Sequence, residues 1–160
     1  MSIHPRYAEA ILEGRKHVEF RKRGLAADIG TVLVYATAPV GRLVGTFQLS
    51  DTMTASPTQL WQQFAEVGCI EREAFDAYYR GREVGVGLLV ASPHKFDSPV
   101  RLDELAPSPA PPQSFSYIPD AVLEQALEAG DYPLEKDWFA LVAGLALSTV
   151  RWVGDMVGRH

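Results

Sequence analysis

The sequence has few of the features that assign a chemistry by themselves. It contains one cysteine, Cys69, so neither an intrachain disulfide nor a cysteine-based zinc cluster can form. The histidines lie scattered, without the spacing of metal ligands, at His4, His17, His94 and His160. A Walker-type glycine loop is missing as well. We therefore expect no metal and no cofactor. Because the first ten residues lack the apolar core of a secretory signal, we also expect a cytoplasmic protein.

An excess of positive charge is also missing. The formal net charge is -5 and the pI about 5.3, so the surface as a whole does not present the field of a general phosphate-backbone binder. Any contact with nucleic acid must be local. Six of the 15 basic residues do fall within the first 23 positions: Arg6, Arg15, Lys16, Arg21, Lys22 and Arg23.

Hydrophobic periodicity predicts an α+β domain. Helices are expected over 5–13, 57–67, 71–80 and 120–129, and strands over 17–21, 31–37, 42–49, 84–91 and 100–102. Gly45, in the middle of an apolar strand, indicates a bulge or a close approach of backbone. The four prolines of 106–112 favour an extended crossing, and 114–118 is a candidate last strand.

The C-terminal part has a different composition, and we divide the chain into a domain over 1–129 and a helical extension over 130–160. The uncharged stretch from Trp138 to Val150 is about 20 Å long as a helix, shorter than a bilayer core of about 30 Å. We therefore expect no membrane span. An apolar helix of this kind packs either on its own domain or on a partner, so a homodimer through this helix is one possible assembly.

One short segment combines residues that can carry chemistry. Gly14 follows the first helix where a left-handed cap would lie, and Lys16 lies in the turn that leads into the first long strand. Glu19 and Arg21 are two apart on that strand and share one face. Lys16, Glu19 and Arg21 are therefore candidates for a ligand cleft.

These residues resemble the G-x-K-x-x-E/T-x-R signature of ASCH domains. The resemblance extends over roughly 2–118 and is strongest in the first 50 residues. The other segments that carry it are Ser2-Ile3-His4-Pro5, Tyr7-Ala8, Tyr35-Ala36-Thr37, Gly41, Val44-Gly45 and Pro112-Gln113-Ser114-Phe115. It implies a small, mixed β-barrel of the PUA-like class with flanking helices, and a cleft beside the first helix that recognises RNA or a modified nucleotide.

The resemblance also implies a possible enzyme. One group of relatives removes the acetyl group from N4-acetylcytidine with the motif lysine, a threonine and a distant glutamate, and others are linked to RNA cleavage. Lys16 and Glu19 would be the catalytic residues here, although Glu19 occupies the threonine position. We therefore favour a binding module, in which Arg21 and Lys16 meet a phosphate or carbonyl and Glu19 accepts from an exocyclic amine. Tyr35 or Trp61 would offer a stacking face.

Three alternatives remain open. Glu19 and Arg21 can form a same-face ion pair with Lys16 in solvent, which would contribute little energy. Tyr35 and Trp61 can simply be core residues, as aromatics in apolar runs usually are. The protein can also be a regulatory protein that assembles through its apolar C-terminal helix.

Overall fold

A computed structural model describes residues 1–133, which form a mixed α+β fold. The strands are β1 (Ser2–Ile3), β2 (Val18–Arg21), β3 (Thr31–Ala36), β4 (Arg42–Ala55) and β5 (Gly85–Val100). The helices are α1 (Pro5–Leu12), α2 (Pro57–Phe64), α3 (Arg72–Tyr79) and α4 (Asp120–Ala129), with a 3-10 turn at Leu102–Glu104. The predicted α+β class is confirmed.

The sheet is open, with the strand order β1-β3-β4-β5-β2. β1 runs parallel to β3, and the other neighbours pair antiparallel. The expectation of a closed barrel is therefore wrong for the part of the chain that the structure describes. The two edges are linked by a side chain instead of a ladder, because Arg21 Nη2 on β2 donates to Ser2 O on β1 at 2.7 Å. β1 has two residues and offers too few backbone groups for a longer ladder.

The two long strands differ from their predicted lengths. β4 continues to Ala55, and β5 unites the strand expected at 84–91 with the one expected at 100–102. Their ladder shifts register at three places, and such bulges let a strand bend and carry prolines such as Pro93 without losing a ladder bond. The candidate strand at 114–118 is not a strand.

Gly45 confirms the predicted close approach of backbone. A Cβ at this position would lie 2.2 Å from the carbonyl oxygen of His94, so only glycine lets β4 and β5 approach each other here. Both ladders of β4 shift register between Leu43 and Gly45, the one with β3 as well as the one with β5. The glycine therefore marks the bend that curves the sheet over α1.

Alternation along β3 divides the core between two faces. Val32 and Val34 pack with Ile11 of α1 on one face, whereas Leu33 packs with Val122 of α4 on the other. A third cluster packs α2 and α3 against β2 and consists of Val18, Phe20, Leu60, Phe75 and Tyr79. β2 therefore presents its apolar residues to α2 and α3, which leaves Glu19 and Arg21 facing inwards.

The predicted end of α4 is confirmed, because the helix ends at Ala129 with Gly130 as its cap. Nearly all of the helical extension expected over 130–160, including the apolar stretch that motivates the homodimer, lies outside the described residues. Within residues 1–133, no helix has both the length and the apolar character needed to cross a membrane. The cytoplasmic location stays a prediction.

Candidate functional site: a buried charge cluster

The path of the chain from α1 into β2 brings the three motif residues together. Gly14 adopts a left-handed conformation, with φ +72°, that ends the helix and turns the chain, as its sequence position predicts. Lys16 follows two residues later, and its side chain is buried in the protein. Glu19 and Arg21 pair in register with Leu88 and Val86, two residues of the core beneath α1, and so face that interior.

Lys16, Glu19 and Arg21 form what we call the buried charge cluster. Glu19 lies between the two cations, with Oε1 2.9 Å from Arg21 Nη2 and Oε2 3.6 Å from Lys16 Nζ. The side chains are 2% (Lys16), 9% (Glu19) and 8% (Arg21) exposed. The hypothesis of a solvated Lys16 is therefore wrong. Charges removed from water to this degree persist only where partners compensate them.

Besides its ion pair with Glu19, Lys16 is held by a hydrogen bond and by two ring contacts. Its Nζ donates to the carbonyl oxygen of Gly68 and lies 5.1 Å from the centre of the Tyr7 ring and 5.2 Å from that of Phe20. Burial lowers the pKa of the Lys16 ammonium below its ordinary value, and the nearby Glu19 carboxylate opposes this shift. The desolvation effect is the larger one, so the neutral amine is more accessible here than in an exposed lysine.

Arg21 connects the cluster to the surface. Its Nη1 lies 3.3 Å from the hydroxyl oxygen of Ser114, an exposed residue, and its Nη2 is bound to Ser2 O and Glu19. The buried Nε of Arg21 has no hydrogen-bond acceptor among the described residues. A buried donor without a partner costs about 1–3 kcal/mol, so Arg21 has a capacity to donate that the fold itself does not use.

The two aromatic candidates do not join the cluster. Tyr35 lies on the α4 side of β3, where it lines an apolar cavity of about 450 Å³. Trp61 packs on α2 with its ring 5.1 Å from that of Phe75, beneath the Arg72 guanidinium. Each is half-buried and packs against an apolar cluster, which is close to the alternative that both are core residues.

Tyr7 and buried Phe20 are the aromatic residues whose rings lie beside the cluster, and Tyr7 is the more exposed of the two. It is half-buried on α1, with its ring facing Lys16 Nζ and the exposed Arg6 guanidinium. Ser114 and Gly68 are further neighbours of the cluster. Tyr7 and Ser114 belong to segments that resemble the ASCH pattern and could have been found from the sequence, whereas Gly68, which contributes only a backbone carbonyl, could not.

The described part of the chain contains no group of three or more histidine, cysteine or carboxylate side chains that could hold a metal ion. The chemistry that the cluster offers is that of two cations and one carboxylate. Together they can bind an anion at Arg21, exchange a proton at Lys16 and accept a hydrogen bond at Glu19.

The sequence of this chain, which folds into this mixed sheet with its flanking helices, matches the ASCH domain family over residues 1–143. The chain therefore belongs to the ASCH domain family. It is 30% identical over 122 residues to an ASCH domain-containing ribonuclease of Zymomonas mobilis subsp. mobilis, a match that covers 74% of this chain and 82% of the relative.

Solved structures agree with this assignment. Two crystal structures of ASCH from Z. mobilis, one of them of a mutant, superpose with a TM-score of 0.75 at 24% and 25% identity, covering 80% of this chain and 92% and 94% of theirs. The chain is also 27% identical over 119 residues to a large ribosomal subunit protein uL22 of Ureaplasma parvum, but that match covers only 38% of the relative.

Proposed function

We propose that this protein binds RNA at the buried charge cluster and cleaves it. The observation that carries the proposal is the convergence of Lys16 and Arg21 on Glu19 beneath an exposed serine. The relative named as a ribonuclease, of which the match covers 82%, supports RNA as the substrate. Cleavage, the runner-up to simple binding in the interpretation of the sequence, gains weight from the same relative and from the lowered pKa of Lys16.

RNA binding would use the donors that the fold leaves available. A phosphate bound beside exposed Ser114 would replace this residue as the acceptor for Arg21 Nη1, a contact of 3.3 Å that is long for a charged donor. Arg21 Nη2 would keep its bond to Ser2 O, so the guanidinium would stay oriented. Tyr7 offers the nearest ring for a base to contact.

Cleavage would follow from the same arrangement. In the simplest route, the 2′-hydroxyl of a ribose attacks the adjacent phosphorus, the bond to the 5′-oxygen breaks, and a 2′,3′-cyclic phosphate forms. A neutral Lys16 amine would take the proton of the 2′-hydroxyl, and the resulting ammonium would return it to the leaving 5′-oxygen. Arg21 would stabilise the charge that develops on the phosphate, and Glu19 would orient both cations.

The test compares binding and cleavage by matched variants. Wild type, Lys16→Met, Arg21→Lys and the control Lys95→Met are incubated with a fluorescent single-stranded RNA of about 12 nucleotides. Lys95 is an exposed lysine on β5 that forms no ion pair within residues 1–133. Anisotropy measures affinity, a denaturing gel measures cleavage, and circular dichroism verifies that each variant is folded.

We expect Lys16→Met to bind RNA but to cleave it at least about a hundredfold more slowly, as loss of a general base does. Arg21→Lys should weaken binding, because an ammonium cannot replace a guanidinium at a fixed fork of acceptors. Binding without cleavage by the wild type would reduce the proposal to a binding module. Equal behaviour of all four folded proteins would refute the role of the cluster.

The amidohydrolase hypothesis stays a prediction and is tested with the same proteins. Release of cytidine from N4-acetylcytidine by the wild type, and its loss in Lys16→Met, would support it. The absence of product at high protein concentration would exclude that substrate.

A further inference from the structure

Four exposed basic residues lie close in the chain either to Arg21 or to its ladder partner Val86. They are Lys22 and Arg23, which follow β2, and Arg80 and Arg82, which lie between α3 and β5. We call them the basic patch. The ion pairs within residues 1–133 involve none of the four, although five other basic side chains in that range are paired with carboxylates.

The pairing of β2 with β5 is what brings the four residues together. Arg21 pairs with Val86, so the chain that leaves β2 through Lys22 and Arg23 runs beside the chain that enters β5 after Arg82. This proximity is not evident from the sequence, because 56 residues lie between Arg23 and Arg80. The ladder makes them neighbours at one end of the sheet.

Tyrosines of α3 hold this end of the sheet in place. Lys22 Nζ lies 4.8 Å from the centre of the Tyr78 ring, and Arg82 N donates to the carbonyl oxygen of Tyr79 at 2.9 Å. The Tyr79 hydroxyl donates to Arg21 O at 3.0 Å and lies 3.2 Å from Val86 O. The backbone that carries the patch is therefore fixed to the strand that carries Arg21.

The charge of the patch is unusual for this protein. The chain carries a net charge of -5, yet the four cations are accompanied by one carboxylate in the turn, Glu83. Like charges that gather without carboxylate partners repel each other, and salt screens them only in part. Among residues 1–133 the four cations form no ion pair, whereas an external polyanion would neutralise all four.

We propose that the basic patch binds the phosphates that flank the nucleotide held at the buried charge cluster. The natural substrate is then an RNA strand that continues past the cluster, and a free nucleoside or mononucleotide would miss most of the binding energy. The inference rests on the proposed function. It specifies the class of substrate, an oligonucleotide, and the direction in which the strand leaves the cluster, past Arg21 towards Lys22 and Arg82.

The experiment measures how affinity depends on salt and on RNA length. The patch variant carries Lys22→Gln, Arg23→Gln, Arg80→Gln and Arg82→Gln. A control variant with the same change in net charge carries Arg42→Gln, Arg72→Gln, Lys95→Gln and Arg101→Gln. Both are compared with the wild type on a dinucleotide and on a 12-nucleotide RNA, at salt concentrations from about 50 to about 200 mM. Thermal unfolding verifies that each variant is folded.

We expect the patch variant to lose the preference of the wild type for the 12-nucleotide RNA. The slope of log affinity against log salt should become shallower by about 2 to 3, because each phosphate contact to a single strand contributes about 0.7. At about 50 mM salt the affinity should fall more than about tenfold, while dinucleotide affinity stays within about twofold of the wild type.

The outcomes separate the inference from the proposed function. If the wild type binds the 12-nucleotide RNA and the patch and control variants have equal slopes and affinities, the inference is overturned and the proposed function stands. If the wild type binds neither RNA, both are overturned. If the wild type binds the dinucleotide as tightly as the longer RNA, the substrate is short and the basic patch has another role.

Discussion

The substitution Glu19→Gln tests whether the buried charge cluster is compensated as the structure indicates. Glutamine keeps the shape of the side chain but removes the charge that lies 2.9 Å from Arg21 Nη2 and 3.6 Å from Lys16 Nζ. Removing one partner of a buried ion pair costs about 3–5 kcal/mol, because the remaining charge stays away from water. Lys16 can respond by losing its proton, since burial already lowers its pKa, whereas Arg21 cannot.

The size of this loss of stability decides whether the Glu19→Gln variant is still folded. The free energy of unfolding of a domain of this size is about 5–15 kcal/mol. After a loss of about 3–5 kcal/mol it is still positive over most of that range, so the variant is expected to fold. The same loss lowers Tm by about 6–20 °C, at about 2–4 °C for each kcal/mol. Urea unfolding followed by circular dichroism measures the free energy directly.

Glu13→Gln is the matched control for this substitution. It makes the same chemical change in an ion pair with Arg15 whose side chains are 44% and 57% exposed, so water replaces the lost carboxylate and stability should scarcely change. A Glu19→Gln variant as stable as Glu13→Gln would refute the claim that Glu19 compensates a buried Arg21. It would also show that water reaches the cluster freely.

Further predictions concern the residues around the cluster. For Lys16→Met, the stability of the wild type relative to the variant should rise with pH towards 10.5. Burying the ammonium destabilises the wild type fully below the lowered pKa of Lys16, and this penalty is relieved above that pKa. Urea unfolding of both proteins at several pH values measures the difference, and parallel curves would contradict the prediction. Gly68→Ala should destabilise the protein and raise the fraction unfolded at a given urea concentration, because a Cβ would lie 2.7 Å from the Phe20 ring; an unchanged midpoint would refute the contact. Tyr79→Phe should lower the free energy of unfolding by about 1 kcal/mol through loss of its bond to Arg21 O, and equal stability in the same assay would show that this bond contributes nothing.

Local patterns predicted the elements and the composition of the cluster. Gly14 ends α1, and the period-two pattern of β2 places Glu19 and Arg21 on one face, so both features depend on residues close in sequence. The burial of Lys16 depends on Gly68 and Tyr7, which reach it only through tertiary packing. The local sequence is therefore compatible with a solvated Lys16, and only the tertiary contacts show that it is buried.

Closure of the sheet and the basic patch are features that local sequence patterns could not predict. Whether a sheet closes depends on the register and length of strands that pair across the whole chain, and no local pattern contains that information. The proximity of Lys22 to Arg82 depends in the same way on the pairing of Arg21 with Val86. The sequence could show that basic residues cluster near the start of the chain, but not that Arg80 and Arg82 join them.

Arg21 links the stability of the fold to the proposed function. Its Nη2 connects the edge strands β1 and β2 through Ser2 O, while its Nη1 reaches exposed Ser114. A phosphate bound at Nη1 would leave the connection between the strands intact and would supply an acceptor to a cation that the fold buries at a cost. Ligand binding and closure of the sheet edges would therefore reinforce each other. An arginine is required for both, because a lysine ammonium has no second, fixed set of donors to direct at the surface.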